Sequence, residues 1–411
     1  MRIARVEAMI LRAVSGSGAS GSRAGDAESA RPQMSTTPRA RPASGAWRAL
    51  DNGPDLDRSR AAYPACVQTV LVRITSDDGL VGYGEAHAPL APEVAKAIID
   101  NLLGPVIVGQ DPRAVDVLWE RMYSSMRIRG HRTGFMMEAV SGVDIALWDL
   151  FGKAVGLPIY QLLGGGYRER VNAYASGIRG NTPEELAEDA RRWMADGFTA
   201  VKMGTSRLGL QEAIERVRAV SAAVGDRAHV LVDAQGGYDL HTALELGRAL
   251  QECGVYWVED PLPPEDIDGH RRLAEALHMA VATGEALCTR WGYREWITTG
   301  AADILLPDIC RAGGISECRK IANMADAYNV PWAGHVSMGT FVHIAATLHL
   351  AAATPNLLIC ECPTSFNRNP LGNALLSQPL QVEQGQLLVP QGPGLGITFD
   401  EQALAACTVG D

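Results

Sequence analysis

The stretch "HVLVDAQGGYDLHTALELGRALQECGVYWVED", residues 229 to 260, decides the fold. It opens with an apolar run that ends at Asp233, passes through an amphipathic helical pattern, and closes with a second apolar run that ends at Glu259. A strand, a helix and a second strand in this order predict two parallel strands joined by a crossover helix. Each predicted strand also ends in a carboxylate, which links the fold to a chemical function.

The same alternation continues on both sides of this stretch. Eight apolar runs separated by amphipathic helices predict an α/β protein with a parallel (β/α)8 barrel. The alternative, an open doubly wound sheet, requires a glycine-rich phosphate turn after its first strand, and the sequence has none in that context. The runs are "VNAYAS" (171–176), "FTAVKM" (198–203), "HVLVDA" (229–234), "VYWVED" (255–260), "AVATGE" (280–285), "DILLPD" (303–308), "VPWAGH" (330–335) and "NLLICE" (356–361).

A different pattern precedes the barrel. "RIARVEAMIL" (2–11) and "TVLVRITSDDGLVGYGEA" (69–86) read as strands, the second as a hairpin that turns at Asp78 and Gly79. A helical pattern follows from about residue 92 to 121. Between the strands, residues 15–60 contain few large apolar side chains, which predicts a long flexible loop. This region is therefore expected to form a small α+β domain.

Composition excludes several classes of protein. The 411 residues carry a net charge of −10 without a basic cluster, which argues against a nucleic-acid or anionic-membrane partner. No apolar run has the length of a signal peptide core or a membrane span, so a cytoplasmic protein is expected. The eight cysteines form no CxxC pair, which argues against a zinc ribbon or a disulfide framework.

Ionisable residues recur at the ends of seven predicted strands. Consecutive members of the set are 23 to 31 residues apart, so each occupies the same point of its barrel unit. The carboxyl ends of barrel strands carry the chemistry in this fold. The set is Lys202, Asp233, Glu259, Glu285, Asp308, His335 and Glu361.

Three consecutive strands contribute Asp233, Glu259 and Glu285. Carboxylates gathered at one mouth repel one another unless a cation lies between them, and oxygen ligands favour Mg²⁺ over zinc or copper. Glu259 is preferred to Asp260 as the ligand because adjacent strand residues point to opposite faces. The alternative for any single acid is a cap on the helix that follows it.

Asp308 and His335 end neighbouring strands, where a carboxylate can orient an imidazole ring and raise its basicity. Lys202 beside a metal would bind a substrate carboxylate, whose adjacent carbon then loses a proton to a base. Glu361 is placed as a proton donor or hydrogen-bond partner for a developing oxyanion. A turn histidine and a lone structural glutamate are the alternatives for His335 and Glu361.

Several motifs resemble the mandelate racemase branch of the enolase superfamily. They include "AVSGVDIALWDLFGKAVGLPIYQLLGG" (139–165), "LVDAQGGYD", "WVEDPL", "ATGEAL", "LLPDICRAGGI", "AGH" and "LICECP", in the order of the family. The resemblance implies a capping domain (1–130) completed by the C-terminal tail (363–411), closed over a modified barrel (131–362). It also implies one Mg²⁺ on Asp233, Glu259 and Glu285, with His335 paired to Asp308 as the base and Glu361 stabilising the intermediate. Family members are often dimers or octamers, so a homo-oligomer is expected.

Two departures from the family pattern bear on the reaction. The second strand often reads K-x-K in the family but reads K-M-G here, so Gly204 stands where a second base would stand. Position 235 holds Gln, not the catalytic His of some sugar-acid dehydratases. A single base favours dehydration of an aldonic or aldaric acid to a 2-keto-3-deoxy acid. A racemase, epimerase or cycloisomerase using Lys202 as second base is the alternative, and a non-catalytic binding barrel is a third.

Overall fold

The structure is a computed structural model that describes residues 1–13, 66–206 and 208–410. The predicted flexible loop at about 15–60 lies outside the described residues. The chain begins with a three-stranded antiparallel sheet in the order β1, β2, β3. Gly79, at the turn between the second and third strands, has a φ of 87°, which glycine adopts without strain. The strands are β1 (Ile3–Arg12), β2 (Gln68–Ser76) and β3 (Val81–Ala86).

Helices follow this sheet and cover one face of it. Most residues of the longest helix, α4, are buried, and this helix packs directly on β3. The other helices precede α4 in the chain. They are α1 (Pro92–Ile98), a π-helical turn (Ile99–Leu103), α2 (Gly104–Ile107), α3 (Val115–Arg127) and α4 (Phe135–Val155). The predicted α+β region is therefore present among the described residues.

The eight predicted barrel strands are all present and parallel, and the last pairs with the first. This closure excludes the open doubly wound sheet and confirms the predicted barrel. The strands are β4 (Arg170–Ser176), β5 (Ala200–Gly204), β6 (His229–Asp233), β7 (Trp257–Glu259), β8 (Ala280–Thr283), β9 (Ile304–Leu305), β10 (Trp332–Gly334) and β11 (Leu357–Pro363).

One helix separates each pair of consecutive barrel strands, as the crossover pattern predicts. A short helix, α5, precedes β4. The helices are α5 (Ile159–Leu162), α6 (Pro183–Ala195), α7 (Leu210–Val224), α8 (Leu240–Glu252), α9 (Ile267–Ala276), α10 (Thr289–Thr299), α11 (Gly314–Asp326) and α12 (Phe341–Ala353). None of the helices in the described ranges is long and apolar enough to cross a membrane.

The C-terminal segment returns from the barrel to the N-terminal sheet. β12 (Val382–Glu383) and β13 (Gln386–Leu388) form a hairpin on the edge of β4, and α13 (Glu401–Cys407) ends the segment. Beyond α13 the backbone N–H of Val409 donates to Ile10 O over 2.8 Å. The tail thus touches the first strand, while the exact division of the chain at residues 130 and 362 stays a prediction.

The contact between α4 and β3 predicts a stability effect. A Cβ added at Gly84 would lie 1.9 Å from Gly142 O and 2.6 Å from Ala146 N, both backbone atoms that cannot turn away. Gly84→Ala should lower the free energy of unfolding by about 1–3 kcal/mol, because the helix must shift off the sheet. Gly292→Ala within α10 is the control, since nothing lies within 4 Å of its added Cβ. Urea unfolding measures both, and equal stability for the two variants would contradict this packing.

Candidate active site

The structure brings all seven predicted residues to the same end of the barrel. Lys202 and Glu361 lie inside β5 and β11, while Asp233 and Glu259 are the last residues of β6 and β7. Glu285, Asp308 and His335 follow the ends of β8, β9 and β10 within three residues. Because parallel strands end at one edge, the regular spacing in the sequence becomes a ring of charges in space.

Lys202 lies at the centre of the acidic groups. Its Nζ is 2.6 Å from Glu259 Oε1, 3.5 Å from Glu361 Oε1 and 3.8 Å from Asp233 Oδ2. The ammonium also lies 5.4 Å from the centroid of the Tyr174 ring, in cation–π range. Burial lowers the pKa of Lys202, but the charges of Glu259 and Glu361 outweigh it and raise the pKa well above its usual value. Lys202 is therefore a fixed cation in this structure.

The negative charges of the neighbouring carboxylates are not fully compensated by their surroundings. Burial, with the charge of Glu285 and other acids nearby, raises the pKa of Asp233 to about 7 although Lys202 opposes it. Burial and the charge of Asp233 likewise raise the pKa of Glu259 to about 8. Lys202 alone does not compensate these charges, so the mouth favours a further cation.

Asp260 lies in the same group of acids, which the alternation rule did not predict. β7 ends at Glu259, and Asp260 follows with a φ of 39°, so its side chain no longer obeys strand alternation. It accepts a hydrogen bond from Thr283 Oγ1. Burial and the charge of Glu285 raise the pKa of Asp260 to about 8. Glu259 remains the predicted ligand, but both acids lie near the mouth.

His335 and Asp308 form the predicted pair. His335 Nδ1 lies 2.9 Å from Asp308 Oδ2, and its Nε2 lies 2.8 Å from Glu285 Oε2. Asp308 is fully buried and accepts a further hydrogen bond from Cys310 N over 2.8 Å. Although burial lowers the pKa of His335, the charges of Glu285 and Glu361 raise it well above its usual value. Asp308 thus fixes one ring nitrogen and leaves Nε2 directed toward the other acids.

Glu361 is held by donors from β4 and from the turn after β10. It accepts hydrogen bonds from Ser176 Oγ at 2.5 Å, from Val336 N at 2.6 Å and from Ser337 N at 2.8 Å. Burial raises the pKa of Glu361, but the charge of Lys202 and these donors lower it well below the usual range. In this structure Glu361 is therefore ionised. The pattern of ionisable residues at strand ends does not predict Ser176, because a serine hydroxyl is not ionisable and the first barrel strand contributes no member to that pattern.

Gly204 leaves open space at the end of β5. It lies two positions after Lys202, so both residues belong to the same strand face. A Cβ added there would meet Asp233 O at 3.9 Å and no other heavy atom within 4 Å, among the residues that the structure describes. A Cβ at this position would thus fit without displacing backbone, so packing around that atom does not require glycine.

Comparison with known proteins identifies the family. The N-terminal domain model of mandelate racemase and muconate lactonizing enzyme matches residues 64–164, and the enolase C-terminal domain-like model matches residues 185–403. The chain belongs to the mandelate racemase and muconate lactonizing enzyme family. The predicted superfamily, fold and enzymatic character are thereby confirmed.

Relatives in this family carry out sugar-acid chemistry. The chain is 38% identical to D-galactarolactone cycloisomerase of Agrobacterium fabrum, over 82% of this chain and 90% of that protein. It is 34% identical to arabinonate dehydratase of Saccharolobus solfataricus, over 81% and 88%. The crystal structure of 3,6-anhydro-D-galactonate cycloisomerase from Zobellia galactanivorans superposes with a TM-score of 0.81 and 28% identity, covering 100% of both chains. Both dehydratases and cycloisomerases are therefore among the relatives.

The family generally uses Mg²⁺, and the donor set here suits it. Asp233, Glu259 and Glu285 offer hard oxygens at neighbouring strand ends, and the raised pKa values of the first two show that their charges lack full compensation. In this structure Lys202 holds Glu259 and His335 holds Glu285. These side chains would turn from their present partners to bind an ion together.

A second group of possible ligands lies deeper in the protein. Among the described residues, the group of three whose ligand atoms all lie within 4.8 Å of one another is Glu85, Cys310 and His343. The Glu85 oxygens already accept hydrogen bonds from Thr69 Oγ1 and Thr340 Oγ1 at 2.8 and 2.6 Å. Burial raises the pKa of Cys310 well above its usual value, which keeps the thiol protonated. Glu85 and His343 belong to a hydrogen-bonded network, and this group is not the predicted magnesium site.

Binding of Mg²⁺ can be tested through thermal stability. At a concentration one hundred times its Kd, Mg²⁺ should stabilise the native protein by about 2.7 kcal/mol and raise the Tm. Glu259→Gln should remove this stabilisation because it removes a charged ligand. Asp260→Asn is the matched control, one residue away in the same cluster, and should keep it. Loss of the Mg²⁺ effect in Asp260→Asn but not in Glu259→Gln would overturn the ligand assignment.

Proposed function

We propose that the protein is a Mg²⁺-dependent sugar-acid dehydratase. It would remove the proton on the carbon next to the carboxylate of an aldonic or aldaric acid and release the 3-hydroxyl as water. The resulting enol would tautomerise to a 2-keto-3-deoxy acid. The observation that carries the proposal is the pairing of His335 with Asp308 at the mouth of the barrel, together with Gly204 in place of a second base.

Each residue has a distinct role in this proposal. Lys202 would receive the substrate carboxylate beside the Mg²⁺ that Asp233, Glu259 and Glu285 would hold. The ion would supply positive charge that lowers the pKa of the C–H bond on the adjacent carbon. In this structure Glu285 Oε2 lies 2.8 Å from His335 Nε2 and raises the pKa of His335, so Nε2 would accept the proton only after Glu285 has turned from it. Asp308 would hold the Nδ1–H through its 2.9 Å contact. The protonated ring then donates to the departing 3-hydroxyl from the same face of the substrate.

Glu361 requires a change of protonation to fill its predicted role. A carboxylate accepts hydrogen bonds, and only its protonated form can donate to a developing oxyanion. A substrate carboxylate placed beside Glu361 adds a like charge, which raises the pKa of Glu361 and favours that form. Ser176 and the two backbone N–H groups of residues 336 and 337 keep the side chain in place during this change.

The dehydratase can be tested with one substitution. His335→Asn should lower kcat on the accepted sugar acid by about 10²- to 10⁴-fold, because asparagine cannot take up the proton. The Mg²⁺-dependent rise in Tm should persist, since the three ligands are unchanged. The assay is a colour reaction for 2-keto-3-deoxy acids over a panel of aldonates and aldarates. If the wild-type protein with Mg²⁺ forms no keto acid from any member, dehydration is wrong.

A cycloisomerase, racemase or epimerase is the second candidate. The 38% identity to a D-galactarolactone cycloisomerase supports it, and Lys202 lies in the same mouth as His335, joined to it through Glu361. Lys202 would then serve as the second base. The ion pairs that keep Lys202 protonated weigh against this role. A barrel that only binds a small molecule is less well supported, since the three predicted metal-ligand positions and the His–Asp pair all hold the expected residue types.

Solvent deuterium separates the two reactions. In D₂O a dehydratase should form keto acid without returning inverted substrate, because it has one base. A two-base enzyme should return inverted or rearranged substrate that carries deuterium at the α-carbon. NMR and mass spectrometry of the recovered substrate measure both. Deuterated, inverted substrate that disappears in Lys202→Met would favour the isomerase.

The binding partner, the oligomeric state and the location are predictions. A small-molecule carboxylate is the expected partner, with no nucleic acid or membrane. The homo-oligomer and the cytoplasmic location also stay predictions.

A further inference from the structure

The second oxygen of Asp308 has a partner that the reaction does not use. His343, fully buried in the first turn of α12, places its Nε2 3.3 Å from Asp308 Oδ1. The same Nε2 lies 3.2 Å from the backbone oxygen of His335. Both neighbours are acceptors, so Nε2 carries the hydrogen. The Nδ1 atom of the same ring has no hydrogen-bond partner among the described residues. One N–H group therefore contacts both members of the His335–Asp308 pair.

Glu85 fixes the position of His343. It comes from β3 of the N-terminal sheet and is fully buried against the start of α12. Its carboxylate accepts hydrogen bonds from His343 N at 3.1 Å and from Thr340 Oγ1 at 2.6 Å. The first N–H groups of a helix lack partners within the helix, and a negative charge there is favoured by the helix dipole. A residue of the N-terminal sheet thus accepts hydrogen bonds from groups at the start of a barrel helix.

Thr69 connects Glu85 to the neighbouring strand of the N-terminal sheet. Its Oγ1 donates to the other Glu85 oxygen over 2.8 Å, from the neighbouring strand β2. The chain of contacts therefore runs from β2 through Glu85 and His343 to Asp308 and His335. Every side chain in it is buried, so water cannot replace a lost partner without a cavity.

We infer that Glu85 and His343 are positioning residues for the reaction. Glu85 sets the first turn of α12, and His343 holds Asp308 and the backbone of His335 so that His335 Nε2 faces the substrate. The expected effect on kcat rests on the proposed function, because it requires His335 to be the base, whereas the positioning of the His335–Asp308 pair does not. Neither residue touches the substrate, so the expected effect falls on kcat and not on KM.

Two variants of His343 test the inference. His343→Leu removes the N–H donor and should lower kcat about tenfold while KM changes less than about twofold. His343→Gln restores a donor at a similar distance from the backbone and should recover kcat to within about threefold of wild type. Glu85→Gln removes the negative charge and one of the two acceptor oxygens at the start of α12, and should also lower kcat about tenfold.

Thr354→Val is the matched control. Thr354 follows the other end of α12, where its buried Oγ1 accepts from Trp332 Nε1 at 3.2 Å and donates to Leu350 O at 3.0 Å. The substitution should lower Tm and leave kcat unchanged, because it lies away from the mouth. The inference is overturned if His343→Leu keeps kcat within twofold of wild type. It is also overturned if all the variants, Thr354→Val included, lose activity in proportion to their Tm.

A second readout does not need a substrate. The Nδ1–H of His335, hydrogen-bonded to Asp308, should give a low-field proton NMR signal that disappears in His335→Asn. We expect that signal to move in His343→Leu and Glu85→Gln and to stay in place in Thr354→Val. If the wild type dehydrates no sugar acid but the signal moves, the proposed function fails and the positioning role stands. A signal that does not move in either variant overturns the positioning role, whatever the activity.

Discussion

Compensation of buried negative charge at the mouth of the barrel is the constraint on which the rest of the structure depends. Asp233, Glu259 and Glu361 all approach one ammonium group, that of Lys202, and burial makes each uncompensated charge expensive. The protein meets this cost with fixed donors: Ser176 and two backbone N–H groups on Glu361, and His335 on Glu285. The negative charge that these donors leave uncompensated favours Mg²⁺, whose positive charge would in turn stabilise the negative charge that develops when a carbon acid loses its proton. The same balance explains why Lys202 acts best as a cation.

Most of the fold and the principal site residues could be predicted from the sequence. Barrel strands repeat with nearly constant spacing, so the residues at their ends could be placed on one rim before any contact was known. Asp308 with His335 is the clearest case, because neighbouring strands and complementary chemistry both indicate the pair. The sequence carries this information because each unit is local, and local periodicity survives in the linear chain.

Other contacts could not be predicted because they join distant segments or break a local rule. Ser176 and Glu361 are 185 residues apart, and they meet only because β11 pairs with β4. Glu85 and His343 are separated by 258 residues and belong to the N-terminal sheet and the barrel. Asp260 has a left-handed backbone that cancels the alternation expected of a strand. In each case the missing information was three-dimensional and not a matter of residue type.

The pairing of β11 with β4 has a consequence for how the protein is made. The ring cannot close until β11 is available to pair with β4. During synthesis on the ribosome, the edge of β4 that pairs with β11 therefore stays unpaired until residue 363 has emerged. Contacts of such long range slow folding, and an exposed strand edge invites association with other chains. A nascent chain released early would therefore lack both the closing strand and Glu361. Closure of the ring and placement of Glu361 therefore depend on the same late segment of the chain.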